Sequence, residues 1–67
     1  MKYRFVFSFD GEMEAVVRDV RPGMAEAAAR MIAREIGKSR KVSPVICVWM
    51  GPAEREIPRE LAKLISA

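Results

Sequence analysis

The stretch that decides the fold is residues 1–20, MKYRFVFSFDGEMEAVVRDV. Aromatic rings occupy every second position from Tyr3 to Phe9, with Arg4, Val6 and Ser8 between them. A period of two carried by aromatic residues marks a strand with one buried face. Asp10 and Gly11 follow as a turn signal, since glycine takes a positive φ without steric cost, and Glu12–Val20 reads as the return strand of a hairpin. Parity sets the expected register. A three-residue loop of Phe9, Asp10 and Gly11 places Phe7 against Met13, Phe5 against Ala15 and Tyr3 against Val17, with every large apolar residue on one face. A two-residue loop places Glu14 beside Phe7, where a carboxylate is costly to bury. The odd loop is therefore expected.

Working outward, Arg21-Pro22-Gly23 closes the hairpin, and residues 24–37, MAEAAARMIAREIG, read as a helix. Five of these residues are alanine, the best helix former. Ala25, Ala28, Ala29, Ile32 and Ile36 recur at helical spacing as the buried stripe. Glu26, Arg30 and Arg34 form an outer stripe, and Gly37 is the expected stop. Residues 38–44, KSRKVSP, are a basic connector. Residues 45–50, VICVWM, are apolar on both sides, the mark of a strand covered on both faces. Gly51 and Pro52 turn the chain. Residues 53–57 are a candidate short fourth strand, and Pro58 opens a closing helix, PRELAKLISA, with Leu61, Leu64 and Ile65 on its apolar side.

These elements make one α+β domain over residues 1–67, in the order ββαβ(β)α. Connection rules predict a two-layer sandwich with sheet order 2-1-3, the aromatic strand central and both helices on the Tyr3/Phe5/Phe7 face. The opposite face then carries Lys2, Arg4, Val6 and Ser8, with Glu14, Val16 and Arg18 from the second strand. The third strand adds either Val45, Cys47 and Trp49 or Ile46, Val48 and Met50; parity does not choose between them. An exposed apolar patch rimmed by Lys2, Arg4 and Arg18 marks an interaction site, so Lys2, Arg4, Val6, Val16, Arg18 and Trp49 are the expected partner-binding residues. The bland alternative is that the closing helix swings round to cover this face.

A second candidate is the basic patch Arg30, Arg34, Lys38, Arg40 and Lys41, the best nucleic-acid site in the chain. Cations near a helix C-terminus also complement its dipole, and a solvated charged loop is the structural alternative. The aromatic interleaving used by single-strand binders is absent.

Composition narrows the function further. The chain has 67 residues, twelve Lys and Arg against nine Asp and Glu, a net charge of +3, one cysteine and no histidine. A domain this small is marginal without a staple. A single cysteine makes no internal disulfide and a zinc site needs three or four ligands, so no metal or cofactor is expected and self-association or partner binding remains. No imidazole base exists, Ser8, Ser39, Ser43 and Ser66 lack a base partner, and Gly-rich phosphate loops are absent. The expectation is a non-enzymatic protein. Cysteine usage fits a reducing cytoplasm, and no apolar run approaches the ~20 residues of a membrane span.

Residues 16–37, VVRDVRPGMAEAAARMIAREIG, end a short hairpin with a valine-ended strand and continue into an alanine-rich helix. In this outline the chain resembles small proteins of phages and mobile elements, is similar to small type I anti-CRISPR proteins of the sheet-plus-helix kind, and has an outline similar to the archaeal ribosomal protein LX. The resemblance spans about Lys2 to Met50 and is architectural. It implies an inhibitor that occludes a surface of a host protein or nucleoprotein complex; DNA mimics of this kind are typically acidic, and this chain is basic. A small basic nucleic-acid-binding accessory protein and a homodimeric interaction module are the alternatives.

Overall fold

The hairpin closes through two residues rather than three. In the computed structural model, which describes residues 1–65, β1 (Lys2–Phe9) and β2 (Glu12–Asp19) pair antiparallel around Asp10 and Gly11. Both turn residues have positive φ, 49° and 77°. This is the type I′ arrangement, whose twist matches that of the strands it joins. Phe7 therefore faces Glu14, Phe5 faces Val16 and Tyr3 faces Arg18. The slip of one residue from the expected register turns the whole of β2 over. A cation admits Glu14 to the ring face: Arg40 reaches it from the neighbouring helix. Glu14 is also only partly enclosed, its side chain 31% exposed, so the cost of burying a lone carboxylate does not arise.

After a 3-10 turn at Pro22–Met24, α1 (Ala25–Arg40) lies on the ring face. Ala25, Ala29, Ile32 and Ile36 are its buried positions, and the last three pack with Phe5, Phe7 and Phe9. Tyr3, Phe5 and Phe7 form a row of stacked rings, with centroids 6.2 and 6.3 Å apart. Burying each phenylalanine contributes about 2–3 kcal/mol. The helix does not stop at Gly37. It runs almost one turn further and ends with Lys41 in the left-handed conformation at φ 54°. Gly37 serves a different purpose: a Cβ there would lie 3.2 Å from the Val42 carbonyl oxygen and 3.7 Å from Val45 Cγ2. Its absence lets the connector fold back on the helix, where the Val42 N–H donates to the Gly37 carbonyl at 3.2 Å.

β3 (Ile46–Pro52) pairs antiparallel with β1, giving the order β2-β1-β3, the expected 2-1-3. Val6 pairs with Trp49 but Phe7 with Cys47, so Val48 is an extra residue in a bulge. The bulge mixes the two facings left open by parity. Cys47 and Met50 join the ring-face core, while Trp49 and Ile46 lie opposite Val6 and Ser8 on the other face. The ladder ends where the Ala53 N–H donates to the Lys2 carbonyl at 2.8 Å, and the Arg55 N–H then turns the chain by bonding the Pro52 carbonyl at 2.9 Å. Residues 53–57 form no fourth strand.

α2 (Arg59–Ile65) opens on the Pro58 carbonyl, which accepts from the Leu61 and Ala62 N–H groups at 3.0 Å. Ser66 and Ala67 of the expected closing helix lie outside the described residues. α2 takes the alternative course considered for it. It packs against β2 and, among the described residues, does not approach α1. Ile57, Leu61 and Ile65 take no part in the ring-face cluster. On the opposite face Val6 is completely buried, and Arg4, which shares that face, donates to the Arg55 carbonyl at 3.4 Å. The segment after β3 thus crosses the face that α2 occupies. α1 already fills the ring face, and among the described residues α2 meets the sheet at β2.

Candidate binding surfaces

The structure divides the six residues expected on one sheet face. Lys2, Arg4, Val6 and Trp49 do share it. Val16 and Arg18 do not, because the two-residue turn sends them to the ring face. Val16 packs against the core cluster, and Arg18 Nη2 lies 3.8 Å from Glu35 Oε1 on α1. Met13, Ala15 and Val17 take their places. Val6, being buried, is a packing residue and not a contact for a partner. Trp49 is half-buried, and a Cβ on Gly51 would lie 3.1 Å from its ring. The indole therefore lies over Gly51, and a side chain there would have to push the ring aside by a few tenths of an ångström. Lys2 stands opposite Asp19. The Met1 ammonium, 2.7 Å from Asp19, holds that carboxyl below its ordinary range, with a smaller contribution from Lys2.

The basic patch also divides. Arg30, Arg34 and Lys38 recur every four residues on the exposed side of α1, about 6 Å apart per step. None of the three has an ion-pair partner among the described residues. Met31 stands beside them, 61% exposed. Arg40 is committed elsewhere: it bonds Glu14, and its guanidinium carbon lies 5.1 Å from the centroid of the Phe9 ring. Lys41 forms the left-handed cap and borders a cleft with Asp10 at the hairpin turn. The running cluster of five cations is thus a stripe of three and two cations with local structural partners.

Arg34 and Lys38 edge an open groove of about 470 Å³ between the last turns of α1 and the connector. Ala33, Gly37, Val42, Pro44 and Val45 supply its apolar floor. Reading Gly37 as a helix stop hid this feature. The signal for it was a glycine inside an otherwise unbroken helical period, which points to a close approach of another segment.

Among the described residues no cluster of three or more His, Cys, Asp or Glu side chains is placed to hold a metal ion. Burial pushes the Cys47 thiol up from its ordinary value, against hydrogen bonds at the Trp49 and Val6 backbone, and Sγ lies 3.4 Å from the Trp49 carbonyl oxygen. A protonated, half-buried thiol is a poor nucleophile. Among the described residues no helix is long and apolar enough to cross a membrane. No protein-family model, no curated protein and no solved structure matches this chain.

Proposed function

We propose that the chain is a non-enzymatic binding module that occludes an acidic surface of a protein or nucleoprotein complex with Arg30, Arg34, Lys38 and the groove beside them. The observation that carries this reading is three cations on successive turns, without ion-pair partners among the described residues, next to an apolar floor. Such a surface offers charge attraction at its rim and apolar burial at its centre, the anatomy of a protein interface. The outline of residues 16–37 supports a phage-encoded inhibitor of the anti-CRISPR-like kind as the form this activity takes, and the free thiol of Cys47 suits action in a reducing cytoplasm.

The test is affinity capture with the full chain and with the Arg34→Glu/Lys38→Glu variant as baits, at about 0.15 M ionic strength. A defined partner retained by the first and lost by the second supports the reading. The same bound set on both baits overturns it.

The spacing of the three cations also favours a second reading, contact with phosphates of a nucleic acid. Three neutralised phosphates give a slope of about −2 to −3 in log affinity against log salt. A gel shift that is absent even at low salt removes this reading and leaves the first in place.

A further inference from the structure

The two edges of the sheet are built differently. The edge strand β2 carries Glu12, Glu14, Arg18 and Asp19 among its eight residues. Charges on an edge strand discourage the addition of another strand. The edge strand β3, ICVWMGP, carries no charge at all. It pairs on one side only, with β1, and Ile46 and Val48 are 55% and 41% exposed.

The ladder shows which backbone groups the free edge offers. Ala53 donates to the Lys2 carbonyl, so by antiparallel alternation Gly51 and Trp49 direct their N–H and C=O groups towards β1. Met50 directs its pair outward. Pro52 also lies outward and has no N–H to give. The edge is thus open along Ile46–Met50 and closed at its C-terminal end.

We infer that β3 of a second copy of the chain adds at this edge, antiparallel, across a two-fold axis perpendicular to the sheet, to make one continuous six-stranded sheet. Self-pairing opposes two uncharged segments, so no like charges meet in a chain that is otherwise basic. A two-fold contact is isologous, and each copy therefore brings its own Ile46 and Val48 to cover those of the other. Size argues the same way. A shared edge adds buried backbone and apolar surface at Ile46 and Val48, which stabilises a small sheet domain. This surface is separate from the α1 stripe, so the dimer stands or falls independently of the proposed function.

Sedimentation equilibrium over a wide concentration range tests it. The 7.6 kDa chain is expected to reach twice that mass, and Ile46→Lys and Val48→Lys to return it to monomer with an unchanged circular dichroism spectrum. Val17→Lys, placed at a residue 45% exposed on the far strand, is expected to remain dimeric. A wild-type monomer throughout, or a dimer indifferent to both β3 lysines, overturns the inference. Should the lysine variants fail to fold, amide exchange in the wild-type chain decides. The Met50 N–H is expected to exchange more slowly as concentration rises, and a rate independent of concentration contradicts the inference.

Discussion

Arg40, in the last turn of α1, bonds the Glu14 carboxylate of β2 while its guanidinium rests on the Phe9 ring. One side chain thereby ties the helix C-terminus to the hairpin and holds a carboxylate on the ring face. The contact, with the partial exposure of Glu14, removes the cost of placing a carboxylate on the ring face that a two-residue turn entails.

Removing that tie has a modest and measurable cost. Arg40 and Glu14 side chains are 49% and 31% exposed, so solvent screens the pair, which contributes up to about 1 kcal/mol, with about 0.5–1 kcal/mol more from the ring contact. Arg40→Ala is expected to destabilise by about 1 kcal/mol in urea titration. The cycle completed with Glu14→Ala and the double variant is expected to show a coupling of about 0.5 kcal/mol that shrinks in high salt. No coupling at low salt contradicts the contact.

Turn geometry has its own test. Gly11 sits at φ 77°, a region that costs other residues about 1–2 kcal/mol. Gly11→Ala is expected to lower stability by about that much. Asp10→Asn, a residue equally at home in the left-handed region, is expected to stay within ~0.5 kcal/mol of the wild type. Equal tolerance at both sites excludes the type I′ turn.

The strands, their order and the buried stripe of α1 were legible in the sequence because alternating rings and spaced alanines are local patterns. The hairpin register was not, because pattern alone weighs Glu14 as a buried carboxylate, whereas its side chain is 31% exposed and paired with Arg40 from 26 residues away, so the two-residue turn that Asp10-Gly11 favours prevails. Nor was the facing of β3, since the bulge at Val48 breaks the parity on which facing depends. Arg40 follows Lys38 closely in the chain. Once α1 continues past Gly37, though, the two lie about 200° apart around the helix, and so the cluster divides. A seven-residue α2 with one apolar side fits either face of the sheet by pattern alone. The area already filled by α1 decides its place.

Alkaline pH reports on Cys47. Burial raises the thiol above its ordinary value of 9.0 in the folded chain, so the folded state keeps a proton that the unfolded state gives up. Stability from this group is complete below about pH 9 and is lost as pH rises through the higher folded value. Denaturation of the wild type and of Cys47→Ala at a series of pH values is expected to show parallel curves below that point. Above it the wild type is expected to lose stability faster. Parallel curves throughout contradict the burial.

Val6 and Val17 lie on the same face of the hairpin and are expected to respond differently to truncation. Val6 has no exposed surface and Val17 is 45% exposed. Val6→Ala is expected to cost about 2 kcal/mol, and Val17→Ala less than ~0.5 kcal/mol. Similar losses at the two sites contradict the covered face.

The central claim is that the middle of the sheet, at Phe5, Val6 and Phe7, is enclosed on both faces by its own chain, which leaves the solvent side of α1 as the proposed surface for a partner. The most direct measurement is methyl NMR of the wild-type chain with a soluble paramagnetic agent. The account predicts strong broadening of the Val17 and Met31 methyl signals and none of Val6. Broadening of Val6 to the level of Val17 would contradict it.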